Sequence, residues 1–89
     1  MTPQELKEKH DAFIRLREEG WNKLKFIVLY DFEELVLHLL LNSEAFYVKD
    51  ERTMNQAMMY VQDCYPYATM DDLERVYEQY KDVVTEVYG

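Results

Sequence analysis

The sequence predicts an all-α protein, a compact bundle of about four helices around one central apolar helix. Three observations predict it. Only Pro3, Gly20, Pro66 and Gly89 are proline or glycine, too few for the turns of a β-rich chain. Apolar residues recur at helical spacing along most of the chain. Helix-capping residues stand ahead of the apolar runs, at Thr2, Asp31, Thr53 and Thr69. A chain of 89 residues, 48% of them hydrophobic, makes one domain spanning residues 1–89 with a core of its own.

The first helix is marked by Thr2 as cap, Pro3 at the first helical position and Glu5 closing a capping box. It runs to about Glu19, where Gly20 ends it. Leu6, Phe13 and Leu16 share one side, with Ala12 at the edge. Lys9, His10 and Arg17 fall in the same arc, so the helix reads as partly buried and His10 as an ordinary helix residue.

Trp21–Leu41 is the centre of the chain and is apolar nearly all round. Trp21, Leu24, Val28, Phe32, Leu35 and Leu39 form one stripe, and Phe26, Tyr30, Leu37 and Leu41 the opposite one. A helix apolar all round must be buried all round. Three short neighbours can hardly cover it, so self-association through Phe26, Tyr30, Leu37 and Leu41 is expected, giving a homodimer or larger homo-oligomer. The preferred reading is one long helix kinked near Asp31. Two alternatives stand beside it. The β-formers in residues 25–30 allow a short strand and an α+β fold. Asp31 with Glu34 also reads as a capping box that starts a separate helix at Phe32.

Asn42 and Ser43 break the pattern, and residues 45–50 fit either a helical turn or an extended piece. Thr53 with Gln56 reads as the next capping box. The helix after it aligns Met54, Ala57, Met58, Val61, Cys64 and Tyr65 on one face, and Pro66 ends it. Thr69 with Asp72 caps the last helix, Met70 to about Tyr88. There Leu73, Val76, Tyr77, Tyr80, Val83, Val84, Val87 and Tyr88 fill an arc of roughly 140°.

The residues for catalysis are missing from the sequence. No glycine-rich phosphate loop is possible with Gly20 the only internal glycine. Ser43 is the only serine and Cys64 the only thiol, and His10, His38 and Cys64 lack zinc spacing. Glu34 and His38, four apart, share a helix face and have the chemistry to hold a metal or pass a proton. Without a Glu-x-x-His motif on a facing helix, the plainer reading is a hydrogen bond on the helix surface. Cys64, on an apolar face, reads as a buried structural thiol. No catalytic residue, cofactor or metal is expected; the protein should bind rather than catalyse.

Charge narrows the partner. The net charge is −8: residues 1–30 carry +1, residues 31–60 −4, and residues 61–89 −5. Such a surface repels nucleic acid and anionic membranes, and matches a basic protein. The N-terminal MTPQELKEKH has no apolar stretch, so it is not a signal peptide. Lys25, Asp31, Glu33 and Glu34 break up the most apolar segment, so no membrane span is expected. The single cysteine fits a reducing, cytoplasmic setting.

The most distinctive feature is an acidic ladder on the last helix. Glu74, Glu78, Asp82 and Glu86 recur every four residues opposite the apolar arc, with Asp71 on the same side. They span about 18 Å, one carboxylate per roughly 6 Å. Glu33, Glu34, Glu44, Asp50, Glu51 and Asp63 would widen the stripe if the fold gathers them. Met59 and Tyr60 point away from their helix's apolar face, and Tyr47 and Tyr67 sit in connecting segments. Tyr and Met are favoured at binding surfaces, although packing between helices explains them equally. In composition, though in no motif, the chain resembles small acidic helical inhibitors of nucleic-acid enzymes from phages and bacteria, several of which mimic DNA. The expected function is a modulator or inhibitor that docks its acidic C-terminal half on a basic, nucleic-acid-binding type of partner. Glu74, Glu78, Asp82, Glu86 and Asp71 would steer it, and Met59 and Tyr60 make contact. The alternative is a structural or adaptor subunit that assembles through the Trp21–Leu41 helix, its acidity serving only as a solvated face.

Overall fold

The computed structural model describes residues 1–89 and contains five helices and no strand: α1 (Pro3–Glu18), α2 (Lys23–Leu29), α3 (Phe32–Asn42), α4 (Glu51–Cys64) and α5 (Met70–Tyr88). The all-α bundle predicted from sequence is therefore present, with one helix more than expected. The β-formers of residues 25–30 lie in α2 and its C-cap, because Asn22 caps that helix and Phe26 anchors it in the core.

The extra helix comes from a break inside Trp21–Leu41, where the sequence favoured one kinked helix. Trp21 precedes α2, and Tyr30 and Asp31 both have extended backbones. Asp31 accepts from the Glu34 N–H at 2.8 Å, while the Glu34 carboxylate accepts from the Asp31 N–H at 3.3 Å. That reciprocal capping box satisfies two orphan donors at once, where an unbroken helix offers Asp31 only an unfavourable interior position. The break also resolves the all-round apolarity. Every residue from Leu35 to Leu41 is buried, and α3 packs against each of the other four helices. Four neighbours, not three, enclose it.

Local chemistry sets the other ends. The Glu5 N–H donates to the Thr2 hydroxyl, and α1 stops before Gly20, whose φ of +111° suits only glycine. α4 starts earlier than the sequence suggests. Its cap is Asp50 rather than Thr53, and Thr53 is instead the buried third residue of that helix. There its hydroxyl donates to the Val48 carbonyl at 2.7 Å, so a threonine in the core keeps a partner. The Thr69–Asp72 capping box of α5 forms as expected. Pro66 follows the Tyr65 C-cap of α4 and cannot continue it.

Residues 43–47 form turns and Val48 a bend, with no strand. The Ala45 N–H donates to the Leu40 carbonyl at 3.0 Å and the Glu44 N–H to the Leu41 carbonyl at 3.1 Å. Together these are a Schellman motif closing α3, with Ala45 and Leu40 both buried as its apolar contact. The residue in the left-handed position is Glu44, at φ +69°, where glycine is the usual occupant.

Two measurements of unfolding free energy in urea check these local devices. Asp31→Ala removes the capping box and is expected to cost about 1 kcal/mol, within the range of roughly 0.5–2 for such caps. Glu44→Gly removes a Cβ from a left-handed residue and is expected to stabilise by about 0.5–1 kcal/mol, despite the freer unfolded chain. A loss of stability in Glu44→Gly would mean that the glutamate side chain itself holds the turn.

Candidate functional site

Three places in the fold carry unsatisfied chemistry: the acidic face of α5, an exposed apolar face of α2, and a buried histidine pair beside a small cavity.

The ladder residues all lie on the outer side of α5, Glu74 half-buried and Asp71, Glu78, Asp82 and Glu86 exposed. They are not equivalent. Glu74 pairs with Lys49, whose ammonium also sits 4.5 Å from the centre of the Tyr77 ring. Glu78 pairs with Lys81 at 2.7 Å, and that lysine holds the Glu78 carboxyl below its usual range. Asp82 and Glu86 have no cationic partner. Both line a groove of about 460 Å³ with Met1, Pro3, Tyr80 and Val83. The start of α3 adds to this end. The Tyr80 hydroxyl is pushed up first by burial, then by the charge of Glu33, with Asp31 and Glu34 contributing. Glu33, Glu34 and Asp31 therefore lie near the half of α5 whose carboxylates are free. Asp63 and Asp50 are engaged elsewhere, one accepting from the Trp21 indole N–H at 2.7 Å and the other capping α4.

The contact residues expected from sequence divide. Met59 is exposed. Tyr60 is not free, since its ring meets Trp21 edge-on at 4.9 Å and the Arg17 guanidinium lies 4.8 Å from its centre. Tyr60 thus holds α4 to the segment between α1 and α2. The side chains expected to self-associate are also inside. Phe26 and Leu37 are fully buried, Leu41 nearly so, and Tyr30 is half-buried against Phe13, Phe26 and His38. The break at Asp31 turns them inward by ending the single helix on which they shared one outer side. In their place α2 exposes Leu24, Val28 and Leu29, at 68%, 82% and 56%.

The histidine pair was not legible in the sequence. His10 and His38 are 28 residues apart, yet their Nδ1 atoms are 3.0 Å apart and the side chains are 5% and 0% exposed. The ring planes agree within 10° and the ring centres are 5.2 Å apart. The nitrogens are much closer than the centres, so the rings meet edge to edge rather than face over face. This is the geometry of an N–H···N hydrogen bond, in which one ring donates and the other accepts. Phe13 lies nearly parallel to both rings, 5.9 Å from His10 and 5.1 Å from His38. His38 is therefore not paired with Glu34 on the helix surface; Glu34 caps α3 and lies 3.8 Å from the Lys9 ammonium. Nowhere do three His, Cys, Asp or Glu side chains converge as a metal-ion set.

The pair has two neutral tautomeric arrangements. If His38 donates, its buried Nε2 is a bare acceptor and His10 turns an Nε2–H outward. If His10 donates, His38 carries a buried Nε2–H, and Nε2 of His38 has no partner. Orphaned buried donors are the rarer and costlier case, so the first arrangement is favoured. Burial holds both rings neutral. It lowers His10 to about 4 against the raising effect of Asp11, and lowers His38 to about 3 with the charges of His10 and Lys9 adding to it.

Comparison with known proteins returns no relative: no family model matches the chain, and neither a curated protein nor a solved structure matches it. No helix is long and apolar enough to cross a membrane.

The histidines make a pH prediction with a definite sign. Their folded values lie below the ordinary 6.5, so the unfolded chain binds protons first as pH falls. Their contribution to stability is complete above pH 6.5 and is lost on going from 6.5 towards 4. At pH 5 each neutral histidine should cost about 2 kcal/mol. Urea unfolding at pH 7.5 and pH 5 should show a loss of a few kcal/mol. The double variant His10→Phe/His38→Leu should lose much less between the two pH values. Equal losses would show that the pair is not the source.

Proposed function

We propose that the protein is a non-catalytic binding module that docks on a basic partner protein through the acidic face where α5 meets the start of α3. The observation that carries this reading is the unpaired state of Asp82 and Glu86 at the rim of a groove floored by Tyr80 and Val83. Carboxylates without internal partners attract cations over distance, and the apolar floor offers packing for the stem of an arginine or lysine. Glu33, beside Tyr80, extends the negative field across the helix boundary.

The active part of the ladder is then its second half. Lys49 and Lys81 neutralise Glu74 and Glu78, so the free carboxylates do not form a continuous row. This favours a groove that receives individual basic side chains over a copy of a phosphate backbone.

A second reading, an adaptor or self-assembling subunit, is favoured by a different observation. Leu24, Val28 and Leu29 are mostly uncovered on a helix of seven residues. Contiguous aliphatic surface of this kind is characteristic of contact sites. Assembly would use these residues rather than Phe26, Tyr30, Leu37 and Leu41.

A short arginine-rich peptide titrated into the protein separates the two readings. Docking through α5 predicts an affinity that falls steeply with salt and drops about tenfold or more in Asp82→Lys/Glu86→Lys. The matched charge change Glu8→Lys/Glu18→Lys on α1 should have a much smaller effect. Equal losses in both variants would reduce the interaction to net charge and overturn the proposed face. Self-assembly predicts instead a dimer or larger species by light scattering, dissolved by Val28→Lys and indifferent to the α5 changes.

A further inference from the structure

The ring of His10 reaches from the buried pair into a second cavity, separate from the groove of Asp82 and Glu86. The cavity measures about 230 Å³ and lies where α1, the end of α3, the turn after it and the end of α5 meet. Its apolar wall is Ile14 and Leu41, and its polar groups come from His10, Asn42, Glu44, Tyr47 and Tyr88. Several of these groups have no partner. His10 is 5% exposed and makes one hydrogen bond, through Nδ1, so its Nε2 is uncommitted. The Tyr88 hydroxyl is buried with no hydrogen bond. The Tyr47 hydroxyl donates to the Tyr88 carbonyl at 3.2 Å, which ties the two tyrosines together.

We infer that this cavity binds a small organic ammonium ion, its charged head between Glu44, His10 and Tyr88 and its hydrocarbon part against Ile14 and Leu41. The charge of the lining decides the class of ligand. No lysine or arginine lines the cavity, and Glu44 supplies a carboxylate. An anion finds no cation to pair with there and is repelled by that carboxylate. A cation is attracted by it, and the two tyrosines of the lining are aromatic groups of the kind that attract cations. The volume suits a ligand of a few carbon atoms rather than a nucleotide or a peptide.

Glu44 carries a second signature. It holds the left-handed position of a Schellman motif, where glycine is less strained and a glutamate has no local advantage. A side chain kept in a strained position, on the wall of a cavity and outside any ion pair, fits a role in binding. This inference does not depend on docking through α5, since neither Asp82 nor Glu86 lines this cavity.

The occupant should also reset the buried histidine pair. An ammonium head has donors only, so Nε2 of His10 must accept from it. The His10 proton then resides on Nδ1, which donates to Nδ1 of His38, and His38 carries its own proton on Nε2. Each ring exchanges its proton with solvent water during transient opening of the pair, one released and one taken up, because Nε2 of His38 has no partner in the closed core. Both rings stay neutral and no net proton is gained or lost. The pair thus changes from the arrangement favoured in the empty cavity to the other one.

The test uses n-butylammonium and benzylammonium as probes, with n-butanol and butyrate as neutral and anionic counterparts, followed by NMR on the whole chain. The expected result is a saturable shift of the His10, Tyr47 and Tyr88 ring signals with either ammonium. Binding should be about tenfold or more weaker for butanol and absent for butyrate, as the loss of a charge-assisted hydrogen bond requires. The ring-nitrogen signals of His38 should exchange their protonated and unprotonated positions on saturation. Glu44→Gly, which keeps the turn, should remain folded and bind the ammonium ions about tenfold or more weakly. Equal response to butanol and butylammonium, unchanged binding in Glu44→Gly, or the absence of saturation would overturn the inference. Histidine nitrogens unmoved at saturation would overturn the contact with His10.

Discussion

The fold depends on one interruption. A continuous helix through Trp21–Leu41 would present apolar side chains on every side over its whole length, and a chain of this size has too few neighbours to cover it. Instead α2 ends at Leu29, and after the extended Tyr30 the capping box at Asp31 starts α3 as a separate helix. The second half can then be enclosed by α1, α2, α4 and α5, with its first half recruited as part of the enclosure. Phe26 illustrates the gain. On an unbroken helix it belongs to a stripe facing away from the main apolar side, and in the fold it packs between Trp21 and Phe13. The outer side of α2 is what remains uncovered, which is why Leu24, Val28 and Leu29 face solvent.

Enclosing α3 so completely brings a polar residue into the core with it. His38 is one of seven consecutive buried residues and is fully shielded from solvent. The only nearby group able to satisfy its Nδ1 is the imidazole of His10, and the two are held coplanar by Phe13 beside them and by the edge of Tyr30. A buried polar pair of this kind is tolerated because each ring stays neutral and shares one hydrogen bond. Desolvation is the largest reason both histidines resist protonation, and at His38 the charges of His10 and Lys9 add to it. The same arrangement carries structure outward, because the far edge of His10 forms part of the wall of a cavity bounded by the strained turn at Glu44.

The surface is shaped by where cations happen to lie. The acidic ladder is regular in sequence, yet Lys49, brought in by the turn before α4, and Lys81, one turn along α5, neutralise two of its members. Exposed pairs like these add little stability, but they remove local negative potential. What stays unpaired is Asp82 and Glu86 on the second half of α5 with Glu33 near them, and Asp71 at the start of that helix. Net charge therefore says less about a docking face than the distribution of the few lysines and arginines.

The sequence by itself determined the helical class, four of the five helix starts and four of the five helix stops to within a few residues, and the faces of α4 and α5. These follow from local chemistry: capping side chains reach only the nearest turn, and a helix face repeats at fixed spacing whatever surrounds it. It also held the capping box at Asp31, but weighed against a continuous apolar run it could not say which would prevail. That choice is decided by how much surface the rest of the chain can cover, and only the tertiary structure sets it. The start of α4 went to Asp50 over Thr53 because the buried hydroxyl of Thr53 finds the Val48 carbonyl, a contact made only once the turn has folded. The histidine pair, the inward position of Tyr60 and the pairing of Glu74 with Lys49 join residues distant in sequence. Neither spacing nor composition records such contacts, since they arise when separate helices are pressed together to exclude water.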